Sequence, residues 1–225
     1  AEGSPLMLRG AIWDLDGTIL DSMSAWDHVG EDYLRSQGIE PEPDLDQVLA
    51  TMSLQQAADY FIDHYGVKQT SDQVIEGAVA LVNDFYRFDA KLKPHLKEFL
   101  VQLHNDGVKM CITTAAEESL VVAALKRCQI LNYFSGIFTC TSVGAGKDDP
   151  RIYREALKFL GTDRSDTIVF EDSLHALKTA KNDGFLVAAV YDSREENQKE
   201  IQHLADCQIK DFGAPEEFFK FINAL

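Results

Sequence analysis

Between Val108 and Val190 the chain alternates short apolar runs with stretches of helical period. Val108 to Thr113, Gly136 to Thr139, Thr167 to Phe170 and Leu186 to Val190 are almost continuously apolar, as strands buried on both faces are. The segments between them carry helix punctuation. Pro94 suits a first helical position and Gly107 the exit, Pro150 and Gly161 repeat the arrangement, and Gly184 closes a third helix. An earlier apolar run, Gly10 to Trp13, supplies one more strand. Strand, helix, strand in series predicts an α/β fold: a doubly wound, mainly parallel, Rossmann-like sheet.

The pattern changes between Asp21 and about Ala90, where the elements read as helices only. Ser22 or Ser24 could cap a helix running to Gly38, and Pro41-Glu-Pro43 breaks the chain. Ser53-Leu-Gln-Gln56 has the form of a capping box opening a helix to Gly66, and a further amphipathic stretch runs from Ser71 to Phe88. Roughly 70 helical residues therefore stand where a short loop would do. The expected organisation is a discontinuous α/β core, 1–20 and 91–225, with a helical cap, 21–90. An insertion at the catalytic end of a sheet is most simply a lid.

Candidate chemistry begins where the first strand ends, at Asp14-Leu-Asp16-Gly17-Thr18. Two carboxylates one residue apart point roughly the same way on an extended chain, and Gly17 permits a sharp departure from the strand. Paired acids there can make a hard-oxygen magnesium site or divide nucleophilic and proton-transfer roles. Open α/β sheets bind ligands at the carboxyl ends of their strands. In a chain with 37 Asp plus Glu, a solvated acidic turn is the competing explanation. The next strand ends in Ile112-Thr113-Thr114-Ala115-Ala116, where a hydroxyl beside helix-start amides can hold a phosphate oxygen. Gly144-Ala-Gly146-Lys147 places a lysine in a glycine-bearing loop; Thr141 and Asp148 stand where a Walker loop needs Gly and Ser or Thr. Val169-Phe170-Glu171-Asp172-Ser173 ends a later strand with two more acids. Four carboxylates meeting in one crevice would repel by several kcal/mol unless cations offset them.

Asp14-x-Asp16-Gly-Thr18 with Asp21 beyond it, the threonine-bearing strand end, the loop lysine and the Glu171-Asp172 pair come in the order of four known motifs. The chain resembles the haloacid dehalogenase-like hydrolases over most of residues 8 to 190. That resemblance implies a cap of the type placed after the first strand. It implies Asp14 as the nucleophile that becomes an aspartyl-phosphate, and Asp16 as acid and then base. Thr114, which matches the second motif where Thr113 is one residue early, and Lys147 would steady the phosphate. Mg²⁺ would be held by Asp14, the backbone carbonyl of Asp16 and Asp172, with Glu171 nearby. Gly17, Thr18, Ala115, Ser22 and Trp26 are the expected substrate contacts. The usual Lys-Pro-x-Pro is Lys-Asp-Asp-Pro here, at some loss of loop rigidity, and Ala176 and Thr179-Ala180 fill a stretch that often carries Gly and Ala-Ala.

The implied reaction is Mg²⁺-dependent hydrolysis of a phosphomonoester on a small phosphorylated metabolite, since Asp16 sets the chain apart from true dehalogenases. A phosphomutase of the β-phosphoglucomutase type is the nearest alternative. Such enzymes place a histidine on the first cap helix where, counted from Ser22, this chain has Trp26. A pseudoenzyme that only binds phosphate, and a receiver-type domain phosphorylated on aspartate, are the others; the second needs no cap and half this length.

Charge narrows the partners. A net charge of −16 argues against nucleic acid, which attracts basic stripes. No apolar run approaches the ~18 residues of a membrane span. Ala1–Leu6 has neither the basic nor the apolar region of a signal peptide and reads as a cloning remnant ahead of Met7. A cytoplasmic monomer is expected. The four cysteines form no C-x-x-C pair, Cys111 and Cys207 fall in strand-like runs, and the six histidines show no metal-ligand spacing. Residues 22–90 hold thirteen acids against Arg35, Lys68 and Arg87, a net of −10, and no Lys or Arg occurs from Ser36 to Val67. Either this field favours neutral or cationic leaving groups, or the acids form a solvated outer face. Trp26 likewise either lines a substrate pocket or packs the cap's own core.

Overall fold

The computed structural model describes residues 7–50, 52 and 54–225. The expectations about Ala1–Leu6 and the Ser53 capping box lie outside the described residues. Two compact units emerge, one combining the chain up to Asp21 with Lys91–Leu225, the other comprising Ser22–Ala90.

The first unit is built on six parallel strands: β1 (Gly10–Trp13), β4 (Lys109–Thr114), β5 (Ile137–Thr139), β6 (Thr167–Glu171), β7 (Leu186–Val190) and β8 (Cys207–Ile209), in the order β5-β4-β1-β6-β7-β8. This is the doubly wound sheet expected from the apolar runs. β1 lies between β4 and β6 with all four residues buried. On one face Ile12, Cys111, Val169 and Val187 pack with Ile152, Tyr153 and Ala156 of the Arg151–Leu160 helix and with Leu177 and Ala180 of the Leu174–Asn182 helix. Elsewhere in this core Trp13 stacks on Phe170, their centroids 3.8 Å apart, and meets Phe99 edge-on. Burial on both faces explains why these strands alternate so little.

Some elements differ from expectation for local reasons. The sixth strand, β8, begins at Cys207, in one of the strand-like runs, and is only three residues long. A two-stranded antiparallel ribbon, β2 (Leu20–Asp21) with β3 (Lys91–Leu92), was not anticipated. Pro94 does not open the following helix. His95, with φ 62°, precedes Leu96–Asn105 instead. Pro150 stands just before its helix, and Gly161, with φ 68°, closes it as expected.

In the second unit the single helix expected from Ser22 to Gly38 is broken. A 3₁₀ turn, Met23–Trp26, gives way to the Val29–Ser36 helix, and Ser22 precedes that turn without a side-chain cap bond. A short helix, Leu45–Leu49, follows Pro43. The Leu54–Tyr65 helix ends before Gly66 as expected. Thr70 and Gln73 form a reciprocal capping box opening Ser71–Asp84, after which Phe85–Asp89 widens into a π-helical turn. Tyr33, Leu34, Leu45, Ala58, Phe61, Val67 and Val74 make this unit's own core. Among the described residues no helix is long and apolar enough to cross a membrane.

Candidate active site

β1 delivers Asp14, whose amide donates to the Phe170 carbonyl at 3.0 Å and so extends the pairing with β6 by one residue. The chain then turns sharply. Gly17 sits at φ 79°, where a side chain would be strained, and the Leu15 carbonyl accepts from the amides of Ile19 and Leu20, both at 2.9 Å. That turn folds Thr18 inward, fully buried, with its hydroxyl 3.2 Å from both Asp14 Oδ2 and Asp172 Oδ1. Glu171 ends β6 and Asp172 follows it. Because β1 and β6 are neighbours from which the chain departs to opposite sides of the sheet, these acids lie at the switch point where such sheets bind ligands.

Lys147 comes in from the loop after Gly144. Its Nζ donates to Asp14 Oδ1 and to Glu171 Oε1, each at 2.6 Å, and its side chain is only 12% exposed. The departure to Lys-Asp-Asp-Pro is compensated locally. Asp149 Oδ1 accepts from the Arg151 amide at 2.9 Å, an Asx turn that stiffens the loop where Asp148 replaces the first proline of the motif. Thr114 is fully buried at the end of β4, and its hydroxyl accepts from the Ala116 amide at 3.0 Å. Among the described residues the buried Thr113 hydroxyl has no hydrogen-bond partner. Ala115 stands in the exposed bend that follows.

Asp14, Glu171 and Asp172 each offer a carboxylate oxygen within 4.8 Å of the others. Burial raises Asp14, but the charge of Lys147 with hydrogen bonds from Asp172 and Lys147 outweighs it and holds this carboxyl below the ordinary range. The other two go the opposite way. Burial and the Asp14 charge push Glu171 up to about 8 and Asp172 to about 10. Burial opposes the charge of Lys147, yet Asp14 and Glu171 hold its ammonium well above the usual value. One lysine thus balances one carboxylate, and the remaining negative charge calls for protons or a cation. Buried hard-oxygen donors with surplus negative charge fit a small divalent metal. Asp16 is half-buried and bridges to Leu20. Its carboxylate is not one of the clustered three.

Ser22 and Trp26 belong to the second unit. Ser22 is buried, whereas Trp26 is 46% exposed and walls a cavity of about 470 Å³. Leu49, Phe61 and Val74 line that cavity too, with Asp27 and Asp46 as its carboxylates among the described residues. Trp26 therefore faces a cavity and is not among the side chains of that unit's core.

One residue of the site escaped the sequence. Tyr153 is fully buried and its hydroxyl donates to Glu171 Oε1 at 2.7 Å. A tyrosine among the inward positions Ile152, Ala156 and Leu160 of its helix was the available signal, because a buried phenol needs an acceptor.

These features define a doubly wound α/β protein whose sheet ends in an acidic site braced by a lysine. The chain belongs to the haloacid dehalogenase-like hydrolase family, whose model matches residues 11–190. It is 24% identical over 194 residues to the β-phosphoglucomutase of Bacillus subtilis, covering 81% of this chain and 83% of that one. It is 26% identical over 219 residues to a Drosophila melanogaster protein assigned as a candidate pseudouridine-5′-phosphatase, covering 91% and 93%. The fold matches a Thermotoga maritima structure described as a candidate β-phosphoglucomutase with a TM-score of 0.82 at 20% identity, over 96% of this chain and 99% of that one.

Proposed function

We propose that this chain is a Mg²⁺-dependent phosphomonoester hydrolase that works through an aspartyl-phosphate on Asp14. The observation behind the reading is the state of Asp14, a buried carboxylate kept ionised by Lys147 at 2.6 Å and oriented by Thr18. Asp14 attacks phosphorus. Its oxygen forms the new O–P bond as the ester O–P bond breaks, and Asp16 gives the departing alkoxide its proton. Asp16 then takes a proton from the water that hydrolyses the acyl phosphate, which frees phosphate and restores Asp14. Lys147 supplies positive charge beside the transferring group, and Thr114 with the Ala115 amide holds its oxygens. Mg²⁺, which Asp14, Asp172, the Asp16 carbonyl and nearby Glu171 would hold, supplies further neutralisation of the phosphoryl charge.

The substrate class is a small phosphorylated metabolite whose leaving group is neutral or cationic. The net charge of −10 on residues 22–90 and a Trp26 cavity whose lining, among the described residues, has Asp27 and Asp46 but no lysine or arginine support that reading. The mutase alternative draws on the β-phosphoglucomutase relative, but Trp26 stands where such enzymes carry histidine and cannot shuttle a proton. Phosphate release from p-nitrophenyl phosphate is the test. Release with Mg²⁺, silence with EDTA and inhibition by Ca²⁺ are expected; no release from protein that binds Mg²⁺ would overturn the assignment.

A further inference from the structure

We propose that Tyr153 is a positioning residue for the acidic site: its hydroxyl pins Glu171 and, through the shared oxygen, fixes where Lys147 stands against Asp14. The inference rests on the phosphohydrolase reading for what the site does, and on the side-chain geometry alone for how it is held.

Two donors converge on one oxygen. Glu171 Oε1 accepts from Tyr153 at 2.7 Å and from Lys147 at 2.6 Å, while the same ammonium reaches Asp14 Oδ1 at 2.6 Å. Tyr153, Glu171, Lys147 and Asp14 thus form a continuous chain in which each group is anchored by the next. Its two ends differ in stiffness. Lys147 is a flexible stem on a loop, free to relocate its charge once an anchor is lost. The Tyr153 ring is set in the core between the Arg151–Leu160 helix and the sheet, fully buried and 6.2 Å from Phe185. Tyr153 is therefore the rigid end.

Glu171 is 1% exposed, so a water cannot readily replace a lost donor, and a buried carboxylate short of a hydrogen bond is expensive. The phenol hydroxyl is the donor of this bond, aimed at Glu171 Oε1. The competing explanation is a core tyrosine that merely satisfies its hydroxyl on the nearest acceptor. Only a positioning residue also moves metal affinity and turnover.

Tyr153→Phe in the full chain removes one oxygen and keeps the ring. Mg²⁺ affinity is measured by titration calorimetry, with kcat and KM for p-nitrophenyl phosphate alongside. Groups that orient a metal's carboxylates are worth about 10-fold in affinity or activity. The expected result is an Mg²⁺ Kd raised about 10-fold and kcat lowered by a similar factor at saturating Mg²⁺, with KM nearly unchanged. If the Phe variant does not fold, Tyr153→Met serves in the same assays. A folded variant lacking the donor whose Mg²⁺ affinity and kcat stay within about two-fold of wild type overturns the inference, whatever its melting temperature. Should the wild type bind Mg²⁺ but release no phosphate, the phosphohydrolase reading falls, and the calorimetric comparison still decides the role of Tyr153.

Discussion

The two units use the same residue type in opposite ways. Residues 22–90 carry −10 of the −16 total charge, and none of their thirteen acids is among the buried polar groups. The rest of the chain carries only −6, yet it buries Asp14, Asp166, Glu171, Asp172 and Asp192. Buried acids must be matched one by one. Lys147 meets Asp14 and Glu171, Lys93 meets Asp192 at 2.6 Å, and Asp166 accepts from the Asp163 amide at 2.9 Å. The acids of residues 22–90 stay in reach of solvent, a few of them paired with Arg35 or His64, and act chiefly through the field they sum to. A count of acids therefore locates no chemistry; their burial does.

The comparison breaks most sharply at the nucleophile. Asp14→Asn should lower turnover by about 10⁴-fold or more while leaving the circular-dichroism spectrum intact, since the amide is nearly isosteric. Activity above a few per cent of wild type at saturating Mg²⁺ would remove Asp14 from the chemistry.

Lys147→Met comes next. It should lower kcat by about 10³-fold, and it should also lower the melting temperature of the metal-free protein, because Asp14 and Glu171 lose the ion-pair partner they share. A comparable charge removed from residues 22–90 should leave stability within about 0.5 kcal/mol. Equal thermal shifts in the two units would erase the distinction between them.

A pH titration of stability sharpens it without turnover. Glu171 and Asp172 have folded values of about 8 and about 10 against ordinary values of 4.5 and 3.8. Their contribution is full below those ordinary values and is lost as pH rises through the folded ones. Asp14, shifted down, acts only at acid pH. The metal-free melting temperature should thus fall from about pH 5 to about pH 9, and Mg²⁺ should restore it most at the alkaline end, where the carboxylates are free to bind it. A flat profile, or Mg²⁺ stabilisation strongest at pH 5, would contradict this electrostatic balance.

The smallest effect belongs to the second unit. Asp46→Lys should improve kcat/KM for anionic esters such as phosphoglycolate by a few-fold at low salt and lose that gain at high salt. Trp26→Ala should alter relative rates across a substrate panel. If only stability changes, the residue is structural and the cavity does not read the leaving group.

How far each unit was legible follows from the same contrast. The parallel strands could be read because burial on both faces leaves continuous apolar runs, whereas Asp14, Lys147 and Asp172 stood out through the order of the family's motifs, since a lysine in a loop or an acid at a strand end reads by itself as solvated. Tyr153 was hidden, since one phenol inside a helix reads as ordinary core until its acceptor 18 residues away is known. In the insertion, helical period revealed the elements but not the break at Asp27 and His28 or the Leu45–Leu49 turn of helix, which tertiary packing of Leu34, Leu45 and Phe61 stabilises against weak local signals.

The most direct test of the aspartyl-phosphate reading uses Asp16→Asn with p-nitrophenyl phosphate, whose leaving group needs no proton. Asp14 should still be phosphorylated, while hydrolysis, deprived of its base, should stall. The expected result is a burst of about one p-nitrophenol per enzyme, with intact-mass and peptide analysis placing the phosphoryl group on Asp14. Steady turnover without a burst, or a phosphoryl group on any other residue, would contradict a mechanism built on Asp14.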